Sequence, residues 1–185
     1  MTEKIIIAGF GGQGIILAGM LLAYTGMIEG KHVSHIPSYG AEMRGGTANC
    51  SVIVSDDEIT SPIISNPTTL IVMNLPSLLK FEEKVIKNGN IFVNSSLIEN
   101  KVSRDDVNTY YIPANELAEE AGSGKVANMI MIGGFIGVTG LLKMENIKES
   151  LSAVVSRRNL RFNPINMKAL DMGFEYILSQ KKAVY

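Results

Sequence analysis

Six residues near the amino terminus have the composition and spacing to hold an anion. Gly9, Phe10, Gly11, Gly12, Gln13 and Gly14 spell G-x-G-x-x-G. The run IIIA precedes them and a long apolar stretch follows, which is the strand-before, helix-after setting the motif requires. There the first glycine allows a tight turn, the second lets the backbone approach a ligand, and the third lets helix and strand pack closely. N–H groups at the start of the helix, aided by its dipole, then favour a phosphate or carboxylate. The same glycines would equally serve a bare strand-to-helix crossover, and the motif by itself does not choose.

A second loop carries chemistry at Ser38, Tyr39, Glu42, Arg44, Gly45 and Gly46. In a doubly wound sheet the loops at the carboxyl ends of the strands form the ligand crevice, so this loop is expected beside the first. Arg44 offers a planar fork for phosphate or carboxylate, and the two glycines leave the backbone open. Glu42 pairs either with Arg44 or with another chain; the plain alternative is a surface turn whose ion pair has little weight. A nicotinamide dinucleotide would call for an acidic residue at the end of the second strand. That strand instead runs into Pro37, Ser38 and Tyr39, with Glu29 before it and Glu42 deep in the loop. A simple NAD dehydrogenase therefore loses support.

The remaining reactive residues are sparse. Cys50 is the single cysteine and His32 and His35 the only histidines. One thiol cannot hold an iron–sulfur cluster, a zinc site or an internal disulfide, and a reducing cytoplasm is the natural setting. His35 reads as a packed histidine and Cys50 as a small buried hydrophobe. The stretch Gly122, Ser123, Gly124, Lys125, Val126 imitates a phosphate loop but lacks its first glycine and its Ser/Thr, so it reads as a lead-in to a helix. No nucleophile–base–acid set stands out. Net charge is −1 and no basic block of five or more residues exists, which argues against nucleic acid.

The elements that must position these residues follow from apolar patterning. Residues 4–8 form a continuous apolar strand of the kind buried on both faces. A helix apolar nearly all round spans 15–28, closed at Gly30. Strands are expected at 32–36, 47–55, 69–74, 91–94 and 109–112, with Ile59 and Thr60 pairing back on the third as a hairpin. Pro76 opens a helix running to about Lys87. Helices at 115–121, 126–142, 145–155 and 163–180 complete the chain, the last starting from an Asn163 cap and Pro164. Residues 5–28 and 126–142 carry no charge, but glycines and polar residues interrupt both, so buried helices are expected rather than membrane spans. The flank Thr2-Glu3-Lys4 does not suit a signal peptide. Gly133, Gly137 and Gly140 give one helix a smooth face, expected to favour close packing in an assembly. Strands alternating with helices argue for one α/β domain over residues 1–185, with a mostly parallel sheet and a helical C-terminal third.

Taken together, IIIAGFGGQGIILAG (residues 5–19) and HIPSYGAEMRGGTANCSVIVSDDEITSP (residues 35–62) resemble the gamma subunit of 2-oxoacid:ferredoxin oxidoreductases. SNPTTLIVMN, IFVNSSLI, Asn128-Met129 and the glycine-rich residues 132–140 extend the likeness over nearly the whole chain, with SYGAEMRGGTANC closer to the 2-oxoglutarate or general 2-oxoacid branch than to the pyruvate branch. The resemblance implies a Rossmann-like, three-layer α/β/α fold. It implies alpha and beta partner subunits that bind thiamine diphosphate with magnesium, and a ferredoxin-like delta subunit with iron–sulfur clusters. The complex would oxidise a 2-oxoacid to an acyl-coenzyme A and pass electrons to ferredoxin. Gly9, Gly11, Gly12, Gln13, Gly14, Ser38, Tyr39, Glu42, Arg44, Gly45 and Gly46 would then line an inter-subunit crevice, with no catalytic residue and no resident cofactor on this chain. A free-standing dinucleotide-binding oxidoreductase and a nucleotide-sensing domain are the competing readings.

Overall fold

The protein's computed structural model describes residues 1–38 and 47–182. Strands β1 (Thr2–Phe10), β2 (His32–Ser38), β3 (Thr47–Ser55), β4 (Thr69–Val72), β5 (Asn90–Asn94) and β6 (Asn108–Ile112) form one sheet in the order β2-β3-β1-β4-β5-β6. From β1 to β6 the neighbours are parallel, whereas β3 runs antiparallel to both β1 and β2. Helices α1 (Ile15–Ile28), α2 (Leu75–Phe81), α3 (Ala114–Ala121), α4 (Ala127–Thr139), α5 (Met144–Val154) and α6 (Asn163–Lys182) pack around it.

The alternation of side chains along β1 builds the layers. Ile5 and Ile7 join a large core with α1 and α3 to α6, while Ile6 and Ala8 face a smaller core under α2. A strand buried on both faces must read as an unbroken apolar run, and β1, β4 and β5 do. The result is the expected three-layer α/β/α arrangement with most helices on one side.

Three expectations are corrected. Ile59 and Thr60 form no hairpin, because β3 spends both of its edges on β1 and β2. The helix opened by Pro76 ends at Phe81 and gives way to a 3-10 turn, Glu82–Lys84. The smooth face of α4 is consumed within the chain: Gly133 lies against the backbone of Leu170, and Gly173 of α6 against that of Ile130. Glycine on both helices lets them approach backbone to backbone, and the large core sits where they cross.

Local chemistry closes the ends. Gly30 (φ +75°) ends α1, donating to Met27 while Lys31 donates to Gly26, the paired bonds of a left-handed helix stop. Glu29 then accepts from the Lys143 N–H at 2.8 Å and so caps α5. This acidic residue therefore serves the opposite end of the molecule from the glycine loop. No helix among the described residues is long and apolar enough to cross a membrane.

Candidate functional site: an anion cleft at the carboxyl edge of the sheet

The parallel strands β1, β4, β5 and β6 all end on one edge, where β1, β4 and β6 hand the chain to helix starts. Asn74 caps α2, its Oδ1 accepting from Ser77 N–H at 2.9 Å. The first two N–H groups of α3, on Ala114 and Asn115, donate to Asn94 Oδ1 and Ser96 Oγ, whereas the starts of α1 and α4, at Gly14 and Val126, have no side-chain cap. Their first N–H groups are unpaired within their own helices and carry the positive end of the dipole. Two uncapped helix starts on one edge favour an anion there.

The glycine loop divides its labour. Gly9 is buried, and a methyl group there would come within 2.8 Å of Met73 Cβ and 2.9 Å of Ile15 Cδ1. Gln13 is fully engaged: its Oε1 accepts from Phe10 N–H at 2.6 Å and its Nε2 donates to Met73 O at 3.3 Å. Gly14 adopts φ +71° and passes its carbonyl to Asn128 Nδ2 at 3.1 Å, tying α1 to α4. These three residues build the crossover. Gly11 and Gly12 are exposed, and Gly12, at φ +94°, has nothing within 4 Å of where a side chain would sit. They are the part of the loop free to meet a ligand.

Opposite Gly12 and Gln13 stands the 3-10 turn Gly124–Val126. Gly12, Gln13, Asn115, Gly124 and Lys125 line a cleft of about 170 Å³. Lys125 is exposed and its ammonium makes no hydrogen bond or ion pair among the described residues. Asn115 is set by its neighbours: its Oδ1 accepts from Asn94 Nδ2 at 2.8 Å and its N–H donates to Ser96 Oγ at 2.9 Å. This leaves its amino group without a partner among the described residues. Ser96 in turn donates to Glu116. Lys125 and Asn115 were missed in the sequence because Gly122 to Val126 departs from the phosphate-loop pattern; a glycine-flanked lysine before a helix was the available signal.

Among the second-loop residues only Ser38 is described; it is exposed, at the end of β2 opposite Asn49. Tyr39, Glu42, Arg44, Gly45 and Gly46 lie outside the described residues. Thr47, which follows them, pairs with Phe10 at the mouth of the glycine loop.

His35 and Cys50 are used for packing. Both lie against Gly19 of α1, where a methyl group would come within 2.5 Å of Cys50 Sγ and 2.9 Å of His35 Nε2. Burial pushes the Cys50 thiol up to about 12 and lowers the His35 pKa from its ordinary value. With one buried, protonated thiol, the donors for an iron–sulfur cluster are not on this chain. No group of three His, Cys, Asp or Glu side chains comes together among the described residues.

Residues 4–176 match the family described as Pyruvate ferredoxin/flavodoxin oxidoreductase. The chain belongs to this family. It is 33% identical over 189 residues to the 2-oxoglutarate synthase subunit KorC of Methanothermobacter marburgensis, covering 98% of this chain and 100% of that subunit. It is 34% identical over 175 residues to the ketoisovalerate oxidoreductase subunit VorA of the same organism, covering 94% of this chain. It spans only 36% of that longer relative. In three dimensions it superposes on the gamma subunit of a keto/oxoacid ferredoxin oxidoreductase from Geobacter sulfurreducens with a TM-score of 0.82 at 28% identity, covering 96% of this chain and 99% of that one. The sheet and crossovers described above are thus shared in overall arrangement with that gamma subunit.

Proposed function

We propose that this chain is the gamma subunit of a 2-oxoacid:ferredoxin oxidoreductase. The complex would decarboxylate a 2-oxoacid, either 2-oxoglutarate or a branched-chain 2-oxoacid. It would join the acyl group to the thiol of coenzyme A and pass two electrons to ferredoxin. The observation that carries this reading is the match to a 2-oxoglutarate synthase subunit over that subunit's whole length. Identity to pyruvate synthase subunits is lower, at 27%, which favours the larger 2-oxoacids.

In this reading the difficult bond-breaking belongs to thiamine diphosphate on alpha and beta partners, and electron transfer to iron–sulfur clusters on a delta partner. This chain's residues bind and orient. Gly11, Gly12, Asn115 and Lys125 would receive an anionic group of coenzyme A at the uncapped helix starts. Gly9, Gln13 and Gly14 hold that wall in shape. Ser38, Tyr39, Glu42, Arg44, Gly45 and Gly46 would form the adjoining wall of the crevice, with Arg44 on a phosphate or on a partner's carboxylate. The cytoplasm is the compartment that suits these thiol- and cluster-dependent steps.

The test begins with a tagged chain purified from its host. Partner chains carrying thiamine diphosphate should co-purify and support ferredoxin reduction that needs both a 2-oxoacid and coenzyme A. A lone monomer that binds NAD tightly overturns the reading. In the assembled complex, Arg44→Ala should raise the KM for coenzyme A about tenfold, as expected for one lost charged hydrogen bond. Unchanged turnover and unchanged KM remove Arg44 from the ligand site.

A further inference from the structure

Positive charge is concentrated at one place on this otherwise balanced chain. Arg157, Arg158 and Arg161 are three of its five arginines, and no aspartate or glutamate lies between Glu149 and Asp171. All three sit on the 3-10 turn Arg157–Phe162 that joins α5 to α6, and all three are exposed. None forms an ion pair among the described residues. The turn therefore carries a local positive potential on a chain whose net charge is −1.

The same turn exposes apolar surface. Leu160 and Phe162 are 38% and 36% exposed, beside the arginines. Arg161 holds its guanidinium 4.9 Å from the centre of the Phe162 ring, so charge and ring are presented together. Phe162 also forms one wall of a cavity of about 240 Å³, which lies between this turn, α1 and the turn before α4. Leu17, Val126, Val155 and Phe162 are its apolar lining, and Lys125 and Asn159 are among its polar lining.

Each class of occupant makes a different demand. A nucleic acid wants a basic track that follows its backbone, and one short turn gives none. A membrane surface wants an amphipathic helix with a continuous apolar face, and this turn is six residues long. An acidic protein segment wants planar donors for its carboxylates and a pocket for an apolar anchor. Arginine forks supply the first and the cavity beside Phe162 supplies the second. Arginine with aromatic residues is also the composition of protein-binding hot spots. A single turn is small beside the roughly 800 Å² that each partner buries in a stable complex, so it fits a partner that comes and goes.

We propose that the turn Arg157–Phe162 is a transient docking site for an acidic segment of a partner protein. Carboxylates meet Arg157, Arg158 and Arg161, and an apolar side chain enters the cavity beside Phe162. This docking site is independent of the function proposed above.

The probe is a short fluorescein-labelled peptide of aspartate and glutamate with one central leucine. Its anisotropy would be followed on titration with the full chain and with the assembled complex. Both should bind it alike, and binding should weaken severalfold as salt rises to the physiological range. The double variant Arg157→Ala, Arg158→Ala should bind about tenfold more weakly, within the range for two exposed charge pairs. Arg157→Glu with Arg158→Glu should abolish binding. Neither double variant should lower Tm, because both side chains are exposed and unpaired among the described residues. Serine in place of the peptide's leucine should weaken binding about tenfold, as expected for one apolar side chain left out of a pocket. Asn159→Trp, which blocks the cavity from an exposed position, should make the leucine and serine peptides bind equally. No saturable binding at millimolar peptide and low salt, or equal binding by the wild type and the charge-reversed variant, overturns the proposal. A single-stranded oligonucleotide or an anionic phospholipid vesicle that binds this turn more tightly than the peptide also overturns it, and reassigns the patch to nucleic acid or to a membrane. Loss of peptide binding on assembly does so too, because the turn is then buried between subunits.

Discussion

Replacing Gly173 by alanine tests whether the crossing of α4 and α6 carries the core. A Cβ at 173 would lie 2.8 Å from the carbonyl carbon of Ile130 and closer still to its oxygen. At Gly133 the mirror-image obstacle is Leu170, whose carbonyl carbon would be 2.9 Å away. Backbone cannot change rotamer, so the helices must separate and loosen a contact lined by Met129, Ile130 and Leu170, all fully buried. The upper end of the usual overpacking cost applies, about 3 kcal/mol. Alanine returns about 1 kcal/mol of helix propensity. The net loss is about 2 kcal/mol, which for a chain of this size lowers Tm by about 4–8 °C. Urea denaturation of the full chain should show a lower midpoint with an unchanged slope. Gly30→Ala is the comparison. It meets nothing within 4 Å and pays only for its φ of +75°, about 1 kcal/mol. A Gly173→Ala chain that melts at or above the wild type refutes the argument. A variant that is stable alone but fails to join its partners would return the smooth face of α4 to a subunit interface.

Further predictions concern the polar crossover and the buried titratable groups. Gly14→Ala should cost about 2 kcal/mol in the same urea assay, because it strains a left-handed residue and drives Asn128 away from its bond; full retention of stability would contradict the crossover role. His35 is held neutral by burial, so its contribution is present above its unfolded pKa of about 6.5 and is lost as pH falls from there through the lower folded value. The urea midpoint should therefore drop between pH 7 and pH 5, and His35→Leu should flatten the drop; identical slopes would refute it. Cys50, with its thiol pushed up to about 12, should ignore a thiol-reactive dye at pH 8 until denaturant is added. Stoichiometric labelling of the folded chain would show the burial to be wrong.

How much of this was legible in the sequence depended on the range of the interactions. The span of α1 was readable to the residue, because its start and stop are local: Gly14 before it and Gly30 after it each take φ values that other residues resist. The continuous apolar runs of β1, β4 and β5 likewise announce strands buried on both faces. The place of β3 was not read. Strand order is decided by pairing across many residues, and nothing local says that β3 inserts between β1 and β2. One clue was present in its alternation, broken only by Ile53: Cys50, Val52 and Val54 face the large core, with Ser51 between the first two and Asn49 and Ser55 on either side. Alternation of that kind belongs to antiparallel strands. The site was half legible for the same reason. The glycine loop is contiguous, whereas Lys125 and Asn115 reach it only because β6, α3 and α4 bring the chain back to the same edge.

The charge of the protein constrains how such a site can work. A net charge of −1 leaves no overall field to draw in an anion from a distance. Attraction must come from groups close to the cleft: the uncapped starts of α1 and α4, the open backbone at Gly12, and the ammonium of Lys125, unpaired among the described residues. Helix-end and single-cation contributions fade within about a Debye length, near 8 Å at physiological salt. A ligand must therefore already be guided to within that distance. On this chain the cleft opens to solvent at the carboxyl edge of the sheet, where Thr47 pairs with Phe10. Partner subunits that close the remaining sides would raise the effective field by excluding water, since the same charges act more strongly at lower dielectric. The isolated chain should then bind phosphate-bearing ligands weakly and with strong salt dependence, and assembly should reduce both the weakness and the salt sensitivity together.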